Sequence, residues 1–87
     1  MSRILPLGEK ATIAVGVGNS TTVGNATVVR VLSTGGAAVV VRTDSSGAII
    51  GSFTTLNNSA ELVEKNASDF IYVTTNPVEV SKVGFTN

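Results

Sequence analysis

The chain has 87 residues, which is enough for one domain, and its six basic and six acidic residues cancel. It contains no cysteine and no histidine, which excludes disulfides, thiolate metal sites and the commonest general base in enzymes. Only 14% of the residues are charged whereas 43% are apolar, so neutral polar groups must make up much of the surface. Such a surface suits packing against other protein chains. The chain has no cluster of basic residues that would predict nucleic-acid binding and no apolar run long enough to predict a membrane span.

The first segment, residues 1–10, is predicted to be an extended N-terminal arm. Ile4, Leu5 and Leu7 surround Pro6, which disfavours a helix, and no apolar stretch typical of a secretory leader follows the first residues. An ordered arm with three large apolar side chains must dock, either on its own domain or on a neighbouring chain. These three residues are therefore candidates for a protein–protein contact.

Residues 11–17 are rich in β-branched side chains and predict the first strand of the domain. Glycine and asparagine interrupt the pattern after that. Residues 20–23 fit either a short strand or part of a long loop, and the sequence leaves both interpretations open.

Residues 26–56 read as three strands joined by two tight turns, which predicts a three-stranded meander. The turn at residues 33–36 contains two glycines and predicts a hairpin, and the turn at residues 44–47 has glycine at its last position, as a type I turn prefers. If the first two strands pair, Arg30 and Arg42 share the outer face. Phe53 is the large apolar side chain of the third strand.

Further strands are expected at residues 60–65, 70–75 and 78–83. The first of these has helical propensity, but it is six residues long between turns, so a strand fits better. Seven or eight short strands predict an all-β fold without a substantial helix, a small antiparallel β-sandwich or barrel of the jelly-roll or Ig-like kind, over residues 11–87. Phe85 lies in the tail beyond the last strand and is a fourth candidate for intermolecular contact.

The residues predict no enzyme, no cofactor and no metal site. Serine and threonine nucleophiles have no histidine base, and the lysines lie in sequence contexts that predict solvated side chains. Glu61 and Glu64 are three apart, so a strand places them on opposite faces. Asp44 and Asp69 each lie in a predicted turn, where an aspartate commonly caps backbone N–H groups.

Phe70 and Tyr72 share one face of a predicted strand. They could form a platform for stacking a sugar, but in a chain with four aromatic residues we interpret them as part of the core.

Three motifs carry a resemblance to a known group of proteins. They are a Gly-Asn-Ala-Thr-x-Val-Arg-Val run at residues 24–31, a Gly-x-x-Ile-Gly-Ser-Phe run at residues 47–53, and Glu64-Lys65 followed by Asp69. In this pattern the chain resembles small virion proteins of marine tailed phages, especially those that infect cyanobacteria. The resemblance implies a capsid decoration, cement or head–tail accessory protein located in the virion. It further implies the major capsid protein or other virion proteins as partners, in a homo-oligomer or symmetric array.

Two other functions are compatible with the sequence. One is a tail- or fibre-associated module that binds glycans on a host surface, and the other is a cellular β-sandwich module for adhesion or secretion. Of the three, a non-enzymatic capsid decoration protein is the function that we expect.

Overall fold

The computed structural model describes residues 3–86, with side chains from residue 4 to residue 84. These residues form eight strands and one short 3-10 turn, Val17–Asn19. The strands are β1 (Arg3–Pro6), β2 (Ala11–Ile13), β3 (Val28–Ser33), β4 (Ala38–Thr43), β5 (Ile49–Thr55), β6 (Ala60–Glu64), β7 (Phe70–Thr74) and β8 (Val78–Thr86).

The strands form two antiparallel sheets. The first has the order β1-β8-β3-β6, and β2 also pairs with β8; the second has the order β5-β4-β7. The partners of β1 run from Val83 to Thr86 and those of β2 from Val78 to Val80, so both strands pair with successive parts of β8. β8 also pairs with β3 along residues 78–82, which makes it an inner strand of its sheet.

The two sheets pack face to face around one apolar core. Alternate residues of β3 and β7 are fully buried, as the two-residue period of a strand facing a core requires. The buried core residues are Ile13, Ala26, Val29, Val31, Ala38, Val40, Val63, Ile71, Val73, Val78 and Val80. The all-β antiparallel sandwich is thereby confirmed, whereas its assignment to a jelly-roll or Ig-like class stays a prediction.

The predicted meander is wrong in its first connection. β3 and β4 do not form a hairpin but lie in different sheets, because the chain crosses the sandwich between Ser33 and Ala38. Val31 and Val40 enter the same core from opposite sides, so crossing buries the apolar faces of both strands. Arg30 and Arg42 do not share a face either: Arg42 has the core-facing parity of Val40, and Arg30 the opposite parity to Val31.

Three other local predictions concern the turn at residues 44–47, the strand at residues 60–65 and the segment at residues 20–23. β4 and β5 form the predicted hairpin, and the N–H of Gly47 donates to the carbonyl oxygen of Asp44 at 3.1 Å across its turn. Residues 60–64 are a strand, as expected. The segment at residues 20–23 is a loop that pairs at a single residue, Thr21, with Ile71 of β7.

Gly36 holds the connection between β3 and β4 in a backbone conformation that other residues rarely adopt, with φ at 127°. A Cβ atom added there would lie 2.7 Å from the side-chain nitrogen of Asn76, which itself donates to the carbonyl oxygen of Ala37. The hydroxyl of Ser33 also donates to the carbonyl oxygen of Gly36. The sandwich crossing therefore depends on glycine at this position.

We expect Gly36→Ala to lower the free energy of unfolding by about 1–3 kcal/mol, because it adds backbone strain and a steric contact. Gly35→Ala is the matched control, since its φ is unexceptional and a Cβ atom there would meet no atom within 4 Å. Urea unfolding of both variants measures the difference. Equal stabilities would show that the crossing does not require glycine.

Candidate functional site

A two-stranded ribbon extends from one end of the sandwich. Its strands are β1 and the last four residues of β8, in the register Arg3 with Thr86 through Pro6 with Val83. β3 accompanies β8 only as far as Lys82, so the ribbon continues beyond the body of the first sheet. The N–H of Leu7 extends the pairing by donating to the carbonyl oxygen of Lys82 at 2.9 Å.

The ribbon presents apolar side chains to solvent. The exposed fractions of Ile4, Leu5 and Leu7 are 44%, 45% and 51%. Leu7 lies against Gly84 of β8, where an added Cβ atom would come within 3.3 Å of its Cδ1 atom. Large apolar side chains grouped on a projecting element are typical of a surface that another molecule covers.

The structure brings the four predicted contact residues together. Ile4, Leu5 and Leu7 lie on one strand and its extension, and the backbone of Phe85 pairs directly with Ile4. The side chain of Phe85 lies outside the described part of the chain. The arm pairs with β8 of its own chain, which is one of the two docking modes expected for it.

Sequence reasoning missed a second group of exposed apolar side chains. Ile49 and Ile50 at the start of β5 are 66% and 49% exposed, Leu56 just after β5 is 67% exposed, and Leu62 on β6 is 45% exposed. The signal that would have indicated β5 is that residues 45–60 contain no charged side chain.

A polar cluster lies at the same end of the sandwich as the ribbon. Asp69 accepts hydrogen bonds from Nε and Nη2 of Arg42 at 2.8 and 2.6 Å and from the N–H of Asn66 at 3.0 Å. The hydrogen bonds from Arg42, which outweigh burial, lower the pKa of the Asp69 carboxyl. Asp69 thus caps a backbone N–H, as predicted, and also neutralises an arginine that faces inward.

Lys65 completes this cluster and corrects the prediction of solvated lysines, because it is 4% exposed. Its Nζ atom donates to the carbonyl oxygens of Asn66, Ala67 and Asp69 at 3.3, 3.4 and 2.9 Å. Burial lowers the pKa of this lysine, and the Asp69 carboxylate opposes that shift. With every donor engaged by the loop that follows β6, the ammonium group holds the loop in place rather than facing a substrate.

Asp44 has a purely local role in the turn between β4 and β5. Its Oδ1 atom accepts from the N–H and hydroxyl of Ser46 at 2.9 and 2.7 Å and from the N–H of Ala48 at 3.0 Å. The hydrogen bond from the Ser46 hydroxyl is the main cause of a lowered pKa for this carboxyl. Across the part of the chain that the structure describes, no group of three or more acidic side chains is placed to hold a metal ion.

The interpretation of Phe70 and Tyr72 as core residues is wrong. Both are half-buried on the outer face of the second sheet, whereas Ile71 between them is fully buried. Tyr72 pairs with Val41 of β4 on that face. The aromatic rings therefore shield the outer surface of the sheet and do not fill the interior of the sandwich.

A groove of about 650 Å³ runs between β2 and the loop at residues 19–24. Ile13, Val23 and Val80 form its apolar floor, and Glu9 and Lys82 contribute charge. The Nζ atom of Lys82 already donates to the carbonyl oxygen of Gly24 at 3.2 Å. The groove is open to solvent, so its geometry is that of a surface cleft beside the first sheet and not of an enclosed ligand pocket.

Comparisons with known proteins do not identify a relative, since no family model, curated protein or solved structure matches the chain. Within residues 3–86, no helix has the length and apolar character that a membrane crossing requires.

Proposed function

We propose that this protein is a non-enzymatic structural protein of a virion, which binds the outside of the assembled capsid and stabilises it through protein–protein contacts. The observation that carries the proposal is the projecting ribbon, on which Ile4, Leu5 and Leu7 stay 44–51% exposed. The virion as the setting rests on the resemblance of residues 24–31 and 47–53 to small phage virion proteins.

The ribbon has the chemistry of a protein contact. Residues 4–8 carry no charge, so covering them desolvates no ionised side chain. Fully burying one such side chain is worth about 1.5–3 kcal/mol, so burying the exposed halves of all three supplies about 2–4 kcal/mol per ribbon. That is modest for a single contact, and it suits a protein that attaches in many copies to a symmetric shell, where weak contacts add.

The chemistry of the described residues also supports a role without catalysis. Each buried ionisable group has a structural partner: Asp69 binds Arg42, and Lys65 binds three carbonyl oxygens. No buried side-chain nitrogen or oxygen in the described residues lacks a hydrogen-bond partner. Groups that are already satisfied in this way are typical of a scaffold, whereas catalytic groups are kept free to face a substrate.

We expect Leu5→Glu to weaken binding to capsids by about tenfold or more, because a carboxylate would have to be desolvated in the contact. The assay is co-sedimentation with shells assembled from the major capsid protein of the encoding phage. Leu62→Glu is the matched control, since Leu62 and Leu5 have the same exposed fraction of 45% but Leu62 lies on β6, away from the ribbon.

Both variants should keep the circular dichroism spectrum and thermal transition of the parent, because neither position is in the core. Equal binding by Leu5→Glu and the parent would show that the ribbon is not the attachment site. Absence of the chain from purified virions, measured by mass spectrometry, would contradict the proposed function itself.

A second candidate function is glycan binding by a tail- or fibre-associated module. Tyr72 favours it, because a half-buried aromatic ring on the outer face of a sheet can stack against a sugar. A glycan array with the intact protein distinguishes the two candidates. Binding that depends on Tyr72 would support the tail module, and an array without binding would remove it.

A further inference from the structure

The two edges of the three-stranded sheet differ, because a segment of the chain covers one of them and leaves the other open. The edge at β7 is covered by the segment before β3: Gly16 donates to the carbonyl oxygen of Val73 at 2.9 Å, and Thr21 and Ile71 exchange hydrogen bonds of 3.0 and 2.9 Å. The opposite edge is β5, which pairs with β4 and with no other strand of the described chain. Its residues 49–52 and 54 are all exposed.

Apart from one bulge near its start, the open edge also lacks the features that usually protect such strands. Natural edge strands carry charged residues, proline or bulges that prevent pairing with another chain. Two other edge strands follow that pattern, since β6 contains Glu61 and Glu64 and β1 contains Arg3 and Pro6, and the third, β2, is only three residues long. In contrast, residues 45–60 contain neither charge nor proline.

A bulge at the start of β5 limits the regular part of the strand. The register shifts between Arg42 and Thr43 of β4, so that Ile50 has no direct partner there. From Gly51 to Thr55 every residue pairs in order with β4. Along this segment, the N–H and C=O groups of the alternate residues that do not bond to β4 therefore face outward in the regular geometry that an added strand requires.

We infer that β5 pairs antiparallel with β5 of a second copy of this chain, so that two three-stranded sheets join into one six-stranded sheet. A two-fold axis through a pair of identical antiparallel strands makes the residue on the axis face its own counterpart and brings the neighbouring residues close to theirs. A charged residue there would meet the same charge, and a neutral strand avoids this penalty. The occupant that an uncharged edge suits best is therefore the same edge of another molecule.

The apolar residues at the two ends of β5 support the same occupant. Ile49 and Ile50 precede the regular part of the strand, and Leu56 follows it. Antiparallel pairing about a two-fold axis brings the isoleucine end of one copy beside the leucine end of the other. Each of these exposed apolar groups thus gains an apolar neighbour that its own chain does not provide.

This contact goes beyond the proposed attachment to a capsid, because it uses a different edge of the molecule. The ribbon belongs to the first sheet and β5 to the second. Self-pairing through β5 would leave the ribbon of each copy free, and a dimer would carry two ribbons.

The test is the molar mass of the isolated protein in sedimentation equilibrium over a range of concentrations. We expect the parent to approach twice the 8.8 kDa of the chain, and Thr54→Lys to weaken dimerisation by about tenfold or more through like-charge repulsion across the axis. Thr12→Lys is the matched control, because it places the same charge on an exposed residue of β2, an edge strand of the other sheet. It should dimerise like the parent.

Hydrogen exchange supplies a second measurement. Amides of residues 51–55 that do not bond to β4 should be protected in the parent and in Thr12→Lys but not in Thr54→Lys. Ser52→Lys serves as a second variant if Thr54→Lys fails to fold. A parent that stays monomeric at its highest soluble concentration, or a dimer that both lysine variants on β5 leave intact, would overturn the inference. If Leu5→Glu rather than Thr54→Lys abolishes the dimer, the ribbon and not β5 is the site of self-association, and the inference is wrong. Capsid binding by Leu5→Glu is measured in its own assay, so the two proposals can fail independently.

Discussion

Ile71→Ala is expected to lower the free energy of unfolding by about 3 kcal/mol, a large share of the total for a domain of this size. Ile71 is the largest fully buried side chain of the core. It lies on β7, pairs with β4 on one side and exchanges hydrogen bonds with Thr21 on the other. The strands around it are therefore held on both sides and cannot collapse into the space that the alanine leaves.

Ile49→Ala is the matched control for this substitution. Ile49 is 66% exposed at the start of β5, so the same loss of methyl groups should change stability by no more than about 0.5 kcal/mol in the monomer. Urea unfolding at a protein concentration low enough to exclude dimers measures both variants. If the two substitutions lowered the free energy of unfolding by similar amounts, the core would not be packed around β7 as described.

Asp69→Asn is expected to lower the midpoint of thermal unfolding by about 10 °C at neutral pH. The carboxylate forms an ion pair with the inward-facing Arg42 and lies beside the buried Lys65. Without its charge, the two cations remain close together and repel each other. The positive charge of Arg42 already lowers the pKa of Lys65, in the same direction as burial does. The loop between β6 and β7 would lose the contact that fixes it to β4.

Asp44→Asn is the control for this variant, since Asp44 caps an exposed turn and neutralises no cation. We expect its unfolding midpoint to fall by no more than about 3 °C. A midpoint as low as that of Asp69→Asn would contradict a special role for the cluster.

The same cluster predicts how stability depends on pH. The hydrogen bonds from Arg42 hold the pKa of Asp69 below its usual value of about 4, so its ionised form is favoured by folding. The contribution of the Asp69 carboxylate to the free energy of unfolding is therefore complete above about pH 4 and is lost as the pH falls through the lowered pKa. The parent should lose this stability in acid, and Asp69→Asn should not, so the difference between their unfolding midpoints should narrow below about pH 4. A constant difference down to the lowest pH measured would contradict this account.

The strands could be predicted from the sequence because their signals are local. Valine-rich runs mark β3 and β4, and the glycine at residue 47 marks the turn that follows β4. Which strands pair could not be predicted in the same way. The glycines at residues 35 and 36 suit a hairpin and a crossing between sheets equally well, and only the burial of β3 and β4 against each other decides between them.

For the candidate site, the apolar residues could be predicted from the sequence but the contacts between distant residues could not. Ile4, Leu5 and Leu7 stand out because they surround a proline without the alternation of a core strand. The partners of Lys65 and Arg42 were not predictable, since their contact with Asp69 depends on how β4 meets the loop before β7. The open edge at β5 was visible as a run without charge, but the sequence alone does not show that no strand covers it.

The position of β8 sets the order of events during synthesis. It follows the other seven described strands in the chain, yet it lies inside the first sheet, between β3 on one side and β1 and β2 on the other. While the ribosome still holds residues 78–86, the first two strands have no partner in that sheet, and β3 has β6 as its neighbour on one side only. Folding of the first sheet should therefore wait until residues 78–86 have left the ribosome, and a chain without them should be degraded or aggregate instead of forming a smaller sandwich.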